Sequence, residues 1–382
     1  MKKLPLILAA LTLFLAAGVA FAADPGGHVQ NAKNLLDQAQ AELDAAIAEP
    51  LPTVTVTETI TQTVTQTVTQ TPTTTTVSPT TTVPPTTTTT TTTAPPPPSG
   101  FPSRAEALAR PNVIVLSGTR STQYKPAVST DTTYDFRGLT STAYPFGSSF
   151  PVVIEGSGNV VIGGAVFGQQ GRTLTWEQTH DPFGGTGLRL GNVNGYEVSY
   201  DFRVDNTVDG IDMLPQTPGV GPAGARVLIE GAYMTWIRDD AIEDDTEMSA
   251  TIRDVLVDGV NDGISIGQSS KNANAVVNLE NVLFIHAPMP NGHAADGVGH
   301  QTIFKQLPGG RVNLTNVTDC MYENPITPSR IQIRPPGTWT NVTFVLGPGW
   351  VGANPTVPAG ATVSRDWQGL CLNARDAWLA AH

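Results

Sequence analysis

The sequence is short of basic residues and of cysteine, and it has only one long apolar run. Its 21 Lys and Arg residues stand against 33 Asp and Glu residues, so the formal net charge is −12 over 382 residues. Such an acidic chain is repelled by the phosphates of nucleic acids and by anionic lipid surfaces, which excludes both as expected partners. After residue 21 no stretch is long and apolar enough to predict a membrane span.

The one apolar run lies at the start of the chain and has the composition of an export signal. Lys2 and Lys3 precede the run, which extends from Leu4 to Phe21, and residues 20–22 read Ala-Phe-Ala. A basic start, an apolar centre and a small-residue cleavage site are typical of a secretory signal peptide. We therefore predict that residues 1–22 are removed and that the protein is secreted, extracellular or displayed at the cell surface. An uncleaved membrane anchor is the alternative.

Two segments of different composition precede the folded part. Residues 23–50 carry an apolar stripe at helical spacing, which predicts a short amphipathic helix. Residues 51–100 are rich in Thr and Pro and include eight consecutive threonines. A segment with so little apolar surface cannot form a core, so a disordered, often O-glycosylated linker or stalk is predicted there. We therefore predict that residues 101–382 form the folded domain.

A short motif recurs through the middle of this domain. Each copy reads Asp, then a small residue, then Ile or Val, and follows a strand-like run; the copies begin at Asp209, Asp240, Asp262 and Asp296. A unit that repeats every few tens of residues without a helix predicts a solenoid of strands. We therefore predict an all-β fold, a single-stranded right-handed parallel β-helix, with the aspartates in one outward column. The residues predicted to stack inward are Ile211, Ile242, Ile264 and Val298.

Corners and ends of the predicted coils have their own signals. Asn281, Asn316 and Asn341 recur at the same place in later copies, and Asn tolerates the left-handed backbone that a corner needs. The last ten residues, 373–382, predict a helix that caps the open end. In an oxidising compartment Cys320 and Cys371 are predicted to form a disulfide that ties the chain's end to the penultimate coils. Two separate thiols are the alternative.

The charge of the domain is concentrated between residues 201 and 262, which hold 14 carboxylates and four arginines. Stacked carboxylates at the spacing of parallel strands repel each other, so the column should raise a pKa or hold a cation. Three interpretations stay open. The aspartates cap turns and face water, or acidic oxygens bind Ca²⁺, or the carboxylates act on a glycosidic bond. The run Glu243, Asp244 and Asp245 is the candidate calcium site.

The order of the motifs resembles the pectin-lyase-like superfamily of right-handed parallel β-helices, and within it the polygalacturonases, which are glycoside hydrolases. That family carries Asn-Thr-Asp, Asp-Asp, Gly-His-Gly and Arg-Ile-Lys on neighbouring coils. The matching segments here are Asn206-Thr207-Val208-Asp209, Asp239-Asp240, Asn261-Asp262-Gly263 and Arg330-Ile331-Gln332. Asp262 and Gln332 stand where the family has histidine and lysine, which disfavours polygalacturonate as the substrate.

The resemblance implies a polysaccharide hydrolase without a cofactor. By it Asp239 is the general acid, while Asp209 and Asp240 activate water. An inverting pair of this kind lies roughly 6.5 to 9.5 Å apart. The candidate substrate-binding residues are Asp262, Arg330, Arg238 and Trp236. A non-catalytic glycan-binding or structural head and a polysaccharide lyase are the alternatives.

Three histidines lie in or beside a Gly/Pro-rich insert near residues 289–294. They are His286, His293 and His300. Their spacing on a predicted loop is not that of a zinc site. We therefore predict that they are solvated loop residues.

Overall fold

The computed structural model describes residues 100–142, 150–168, 185–215, 226–288 and 299–382. Contacts divide the chain into Met1–Thr89 and Thr90–His382, and the described residues all belong to the second unit. The predicted signal peptide, the amphipathic helix and nearly all of the Thr/Pro segment lie outside the described residues. No helix of the described part is long and apolar enough to cross a membrane.

Most of the regular secondary structure of the described part consists of 17 strands that pair in parallel. The strands are β1 (Val113–Arg120), β2 (Ser129–Thr130), β3 (Thr133–Ser141), β4 (Val152–Ser157), β5 (Asn159–Ile162), β6 (Ala165–Phe167), β7 (Leu188–Val193), β8 (Tyr196–Tyr200), β9 (Arg203–Asp205), β10 (Ile211–Pro215), β11 (Arg226–Glu230), β12 (Tyr233–Asp244), β13 (Ser249–Ile266), β14 (Val276–His286), β15 (Arg311–Glu323), β16 (Trp339–Gly349) and β17 (Ala361–Ser364). The helices are α1 (Arg104–Leu108), a 3₁₀ helix (Pro328–Gln332), a π-helix (Gln368–Asn373) and α2 (Ala374–Ala381).

Each strand pairs with the strands one coil before and one coil after it. β4, β7 and β10 form one row, β5, β8 and β11 a second, and β6, β9 and β12 a third. Because the chain visits the three rows in turn, it winds instead of folding back on itself. From β12 onward a single long strand runs through more than one row. This all-parallel winding is compatible with the predicted β-helix.

Apolar side chains fill the inside of the coils. Ile211 pairs in register with Ile242, and Ile242 pairs with Ile264. All three belong to one continuous interior cluster and are almost fully buried. Burying one such side chain stabilises the fold by about 1.5 to 3 kcal/mol. The predicted inward column is confirmed for these residues; Val298 lies outside the described residues, and Phe304 is the residue that pairs with Ile264 on the next coil.

One corner of the coil is a column of left-handed residues. Asn281, Asn316 and Asn341 have φ values of 55°, 54° and 53°, and they occupy equivalent positions on β14, β15 and β16. The Asn316 amide nitrogen donates to the Asn281 side-chain oxygen at 2.8 Å, and Asn341 donates to Asn316 at 2.9 Å. The predicted Asn corner is therefore confirmed, and a ladder of side-chain hydrogen bonds runs along it. Asp254 on β13 continues the column with a φ of 53°.

The C-terminal segment lies along the flank of the coils. Cys320 on β15 is bonded to Cys371 in the π-helix, which confirms the predicted disulfide. An outward-facing apolar stripe that includes Leu256 and Ile285 packs against this segment, with Trp378 of α2 at its edge. The sequence predicts this helix at the open end, whereas it packs on the flank. Packing there keeps the apolar stripe out of water.

The corner predicts a stability ranking at Asn316. A β-branched residue in the left-handed region costs about 1 to 2 kcal/mol, whereas glycine adopts it freely. Asn316→Val should therefore unfold at a lower temperature than Asn316→Gly, although both variants lose the same ladder hydrogen bonds. Thermal unfolding followed by circular dichroism measures the difference. Equal midpoints for the two variants would contradict the left-handed corner.

Candidate functional site

Three carboxylates from neighbouring coils lie together on the described domain. Asp209 stands just before β10, and Asp239 and Asp240 lie within β12. One oxygen from each residue lies within 4.8 Å of the others. The backbone fixes this arrangement, because Asp239 N donates to Val208 O at 2.8 Å and Gly210 N donates to Asp240 O at 2.9 Å. The structure thus brings together the three residues to which the resemblance gives catalytic roles.

Asp262 continues the column but has a different partner. It pairs in register with Asp240, and its side chain is fully buried. Arg330 donates from one Nη1 nitrogen to both Asp262 oxygens, at 3.0 and 3.3 Å. Two of the predicted substrate-binding residues therefore bind each other.

A lysine that the sequence analysis missed completes the group. Lys305 Nζ lies 2.9 Å from Asp239 Oδ1 and 2.9 Å from Asp240 Oδ2. Burial of the ammonium lowers its pKa, but the charges of Asp240 and Asp239 outweigh burial and raise the pKa above its ordinary value. The only feature of the sequence that marks the position of Lys305 is Phe304, the inward-facing residue directly before it. No copy of the Asp motif marks this coil. We name Asp209, Asp239, Asp240 and Lys305 the carboxylate–lysine cluster.

The carboxylate–lysine cluster holds protons at unusually high pH. Burial, followed by the charge of Asp239, raises the pKa of Asp209 to about 7. The same two causes raise the pKa of Asp240 well above its ordinary value. One ammonium cannot neutralise three carboxylates, so Asp209 and Asp240 together retain a proton close to neutrality.

The predicted calcium ligands do not converge on one point. Both oxygens of Asp244 accept from Met248 N, at 2.9 and 3.0 Å. Asp245 accepts instead from Ser265 Oγ at 2.7 Å. Burial, followed by the charge of Asp209, raises the pKa of Glu243 to about 10. Among the described residues, the acidic group that could bind a metal ion is Asp209, Asp239 and Asp240.

Trp236 and Arg238 precede the site on β12 and have different surroundings. Trp236 is half-buried with a φ of 53°, and it stands level with Asn206 and Gly259 on adjacent coils, which are also left-handed. A second left-handed corner therefore leads into the site, and a bulky residue is sterically disfavoured there. Arg238 is 1% exposed. Its side chain is therefore buried, as are the neighbouring Asp239 and Asp240.

The histidines at the insert are interior residues and not solvated loop residues. His286 ends β14 and is fully buried; its Nδ1 donates to Asn261 O at 3.1 Å. Its Nε2 lies 2.8 Å from Asp319 Oδ1, at ion-pair distance but outside hydrogen-bond angles. The ring of His300, also buried, lies 5.5 Å from the ring of His286. His293 lies outside the described residues.

The pKa values of the two rings shift in opposite directions. Burial lowers the pKa of His286, but the charge of Asp319 outweighs burial and raises the pKa above its ordinary value. Burial, together with the charge of His286, lowers the pKa of His300 to about 3. The His286 ring beside Asp319 lies directly behind Asn261, the residue before Asp262.

His300 predicts a loss of stability in acid. The folded protein keeps His300 neutral down to about pH 3, whereas the unfolded chain protonates it near pH 6.5. Its contribution is complete above pH 6.5 and is lost as the pH falls, at about 1.4 kcal/mol per pH unit. Between pH 7 and pH 5 the unfolding free energy of wild type should fall by about 2 kcal/mol more than that of His300→Gln.

Denaturant titrations of both proteins at the two pH values make this comparison. Buried carboxyls with raised pKa values, such as Glu243, favour the fold in acid, but they do so equally in both proteins and cancel in the difference. Parallel pH dependence of the two proteins would contradict the neutral, buried state of His300.

Comparison with known proteins assigns no family to the chain. No protein-family model matches the sequence, and neither a curated protein nor a solved structure matches it. The resemblance to polygalacturonases therefore rests on the order of the motifs. The chemistry of the site follows from its own groups: a carboxyl that keeps its proton near neutrality, two carboxylates that share one ammonium, and oxygens close enough together that they could bind a metal ion.

Proposed function

We propose that the protein hydrolyses glycosidic bonds of a polysaccharide outside the cell, with Asp209, Asp239 and Asp240 as the reacting groups. The observation that supports this most is a group of three close carboxylates, of which Asp239 and Asp240 share one Lys305 ammonium. That arrangement supplies a protonated carboxyl and a charged carboxylate at the same place. Glycoside hydrolysis requires this pair of groups on either side of one bond.

The protonation of the cluster favours Asp209 as the general acid. Its pKa of about 7 lies where a general acid works near neutral pH. The resemblance had given this role to Asp239. Asp239 instead accepts a hydrogen bond from Lys305 at 2.9 Å, which suits a negatively charged carboxylate that attacks carbon or activates water.

The spacing of the cluster bears on the course of the reaction. One oxygen of each carboxyl group lies within 4.8 Å of one oxygen of each of the others. This close approach is compatible with the roughly 5 to 5.5 Å between the carboxyl groups of a retaining pair. We therefore propose that Asp239 attacks the anomeric carbon while Asp209 protonates the leaving oxygen. Water then releases the sugar with its original configuration.

The charges around the site favour a neutral sugar. Lys305 is paired with Asp239 and Asp240, and Arg330 is paired with Asp262. An anionic sugar would be repelled by these carboxylates, because the lysine and arginine that could attract it are already paired with them. The same pairing leaves lyase chemistry with less support, because a lyase needs a basic group that takes a proton from the sugar.

A screen against neutral and acidic polysaccharides tests the proposal. New reducing ends without unsaturated products are expected on a neutral polysaccharide. Asp209→Asn and Asp239→Asn should each lower the rate at least about 100-fold, because each removes a group that transfers a proton or attacks carbon. Asp258→Asn is the matched control, since Asp258 lies on β13 near Arg375 of the C-terminal helix, and its rate should stay within about twofold of wild type.

Three results would contradict the proposal. Unsaturated products would indicate a lyase. Full activity in Asp209→Asn would remove Asp209 from the reaction. A folded protein that cleaves none of the polysaccharides but binds one of them would be a glycan-binding head.

A further inference from the structure

The three carboxylates of the carboxylate–lysine cluster have the spacing of ligands around one ion. One oxygen from each lies within 4.8 Å of the others. A calcium ion binds oxygens at about 2.4 Å, so two ligands on opposite sides of its shell are about 4.8 Å apart. The spacing of the three oxygens is therefore close to that of ligands shared by a single ion.

Two of these three carboxylates already hold a positive charge. The Lys305 ammonium donates to Asp239 and Asp240 at 2.9 Å. It makes no such contact with Asp209, whose oxygens accept from Thr186 Oγ1 at 3.2 Å and from Asp240 N at 3.3 Å. One tethered ammonium thus satisfies two of the three carboxylates.

Asp240 has an oxygen that the ammonium does not satisfy. Its Oδ2 accepts from Lys305, whereas its Oδ1 has no hydrogen-bond partner although the residue is only 2% exposed. A buried carboxylate oxygen without a partner is unfavourable, and charged groups suffer more than neutral ones. A divalent ion coordinates two oxygens of one carboxylate at once, which a single ammonium does not do in this arrangement.

We propose that Asp209, Asp239 and Asp240 form a binding site for a divalent cation of the calcium class, and that the Lys305 ammonium competes for it. The ligands are all oxygens, which suits calcium or a similar hard ion and disfavours zinc and copper. Lys305 is partly exposed, so its long side chain can leave the cluster for solvent when the ion enters. The cluster then exchanges one positive charge for two.

The exchange gives the site a regulator, an inference that rests on the proposed hydrolysis. Carboxylates that coordinate an ion can neither donate a proton to a glycosidic oxygen nor attack carbon. Calcium and the sugar would therefore compete for the same groups. Binding of the ion itself does not depend on hydrolysis, so the two proposals can fail separately.

Calorimetric titration of the full chain with CaCl₂, without any glycan, tests the site. Lys305→Met should bind Ca²⁺ at least tenfold more tightly than wild type, because the competing charge is gone. Asp240→Asn should lose the binding. Lys271→Met is the matched control: Lys271 is exposed and donates to Leu307 O, so its removal should leave the affinity of wild type unchanged.

A second variant guards against misfolding. If Lys305→Met does not fold, Lys305→Gln removes the same charge while keeping a donor for Asp239. In addition, Ca²⁺ should raise the melting temperature of wild type and leave that of Asp240→Asn unchanged.

Three results would overturn the proposal. Equal Ca²⁺ affinity in wild type and the Lys305 variant would show that lysine and ion do not share a site. Binding that survives in Asp240→Asn would place the ion elsewhere. Absence of binding in both wild type and the Lys305 variant would show that the cluster holds no divalent ion.

Discussion

Parallel pairing in register is the interaction on which the structure depends. It places equivalent residues of successive coils about 4.8 Å apart, so every column repeats one kind of side chain. Inside the coils this repetition stacks Ile211, Ile242 and Ile264 and is favourable. At the corner it stacks Asn281, Asn316 and Asn341, whose amides bond to one another. On the outside it stacks acids, which repel.

The fold answers that repulsion in three ways. Asp262 takes Arg330 as an ion-pair partner, Asp239 and Asp240 share Lys305, and Asp209 keeps a proton to about pH 7. As a result, aspartates only a few ångströms apart differ in their protonation and in their ion-pair partners. The unequal distribution of protons and cations gives identical aspartates different chemical surroundings, and the proposed acid, base and cation-binding roles rest on that difference.

Structural features that repeat along the chain could be predicted from the sequence. Contacts that occur only once could not. The Asp and Ile columns follow from the motif, and the Asn corner follows from the backbone preference of asparagine. Lys305 contacts Asp239 from 66 residues further along the chain, beyond an insert that breaks the repeat, so no spacing marks it. His286 stands beside the same insert and looks like a loop residue. Its burial depends on Asp319, which is brought next to it only by the pairing of β14 with β15.

The disulfide between the flanking segment and β15 has a mechanical consequence. Cys320 and Cys371 are separated by 51 residues, and β16 and β17 lie between them. A pulling force applied at α2 passes through the sulfur bridge and enters the coils at β15. The last two strands therefore belong to a closed covalent loop that carries no load, and they cannot be peeled away one after another. The disulfide therefore moves the point at which the coils first separate under force from the last strand to β15, inside the stack of coils.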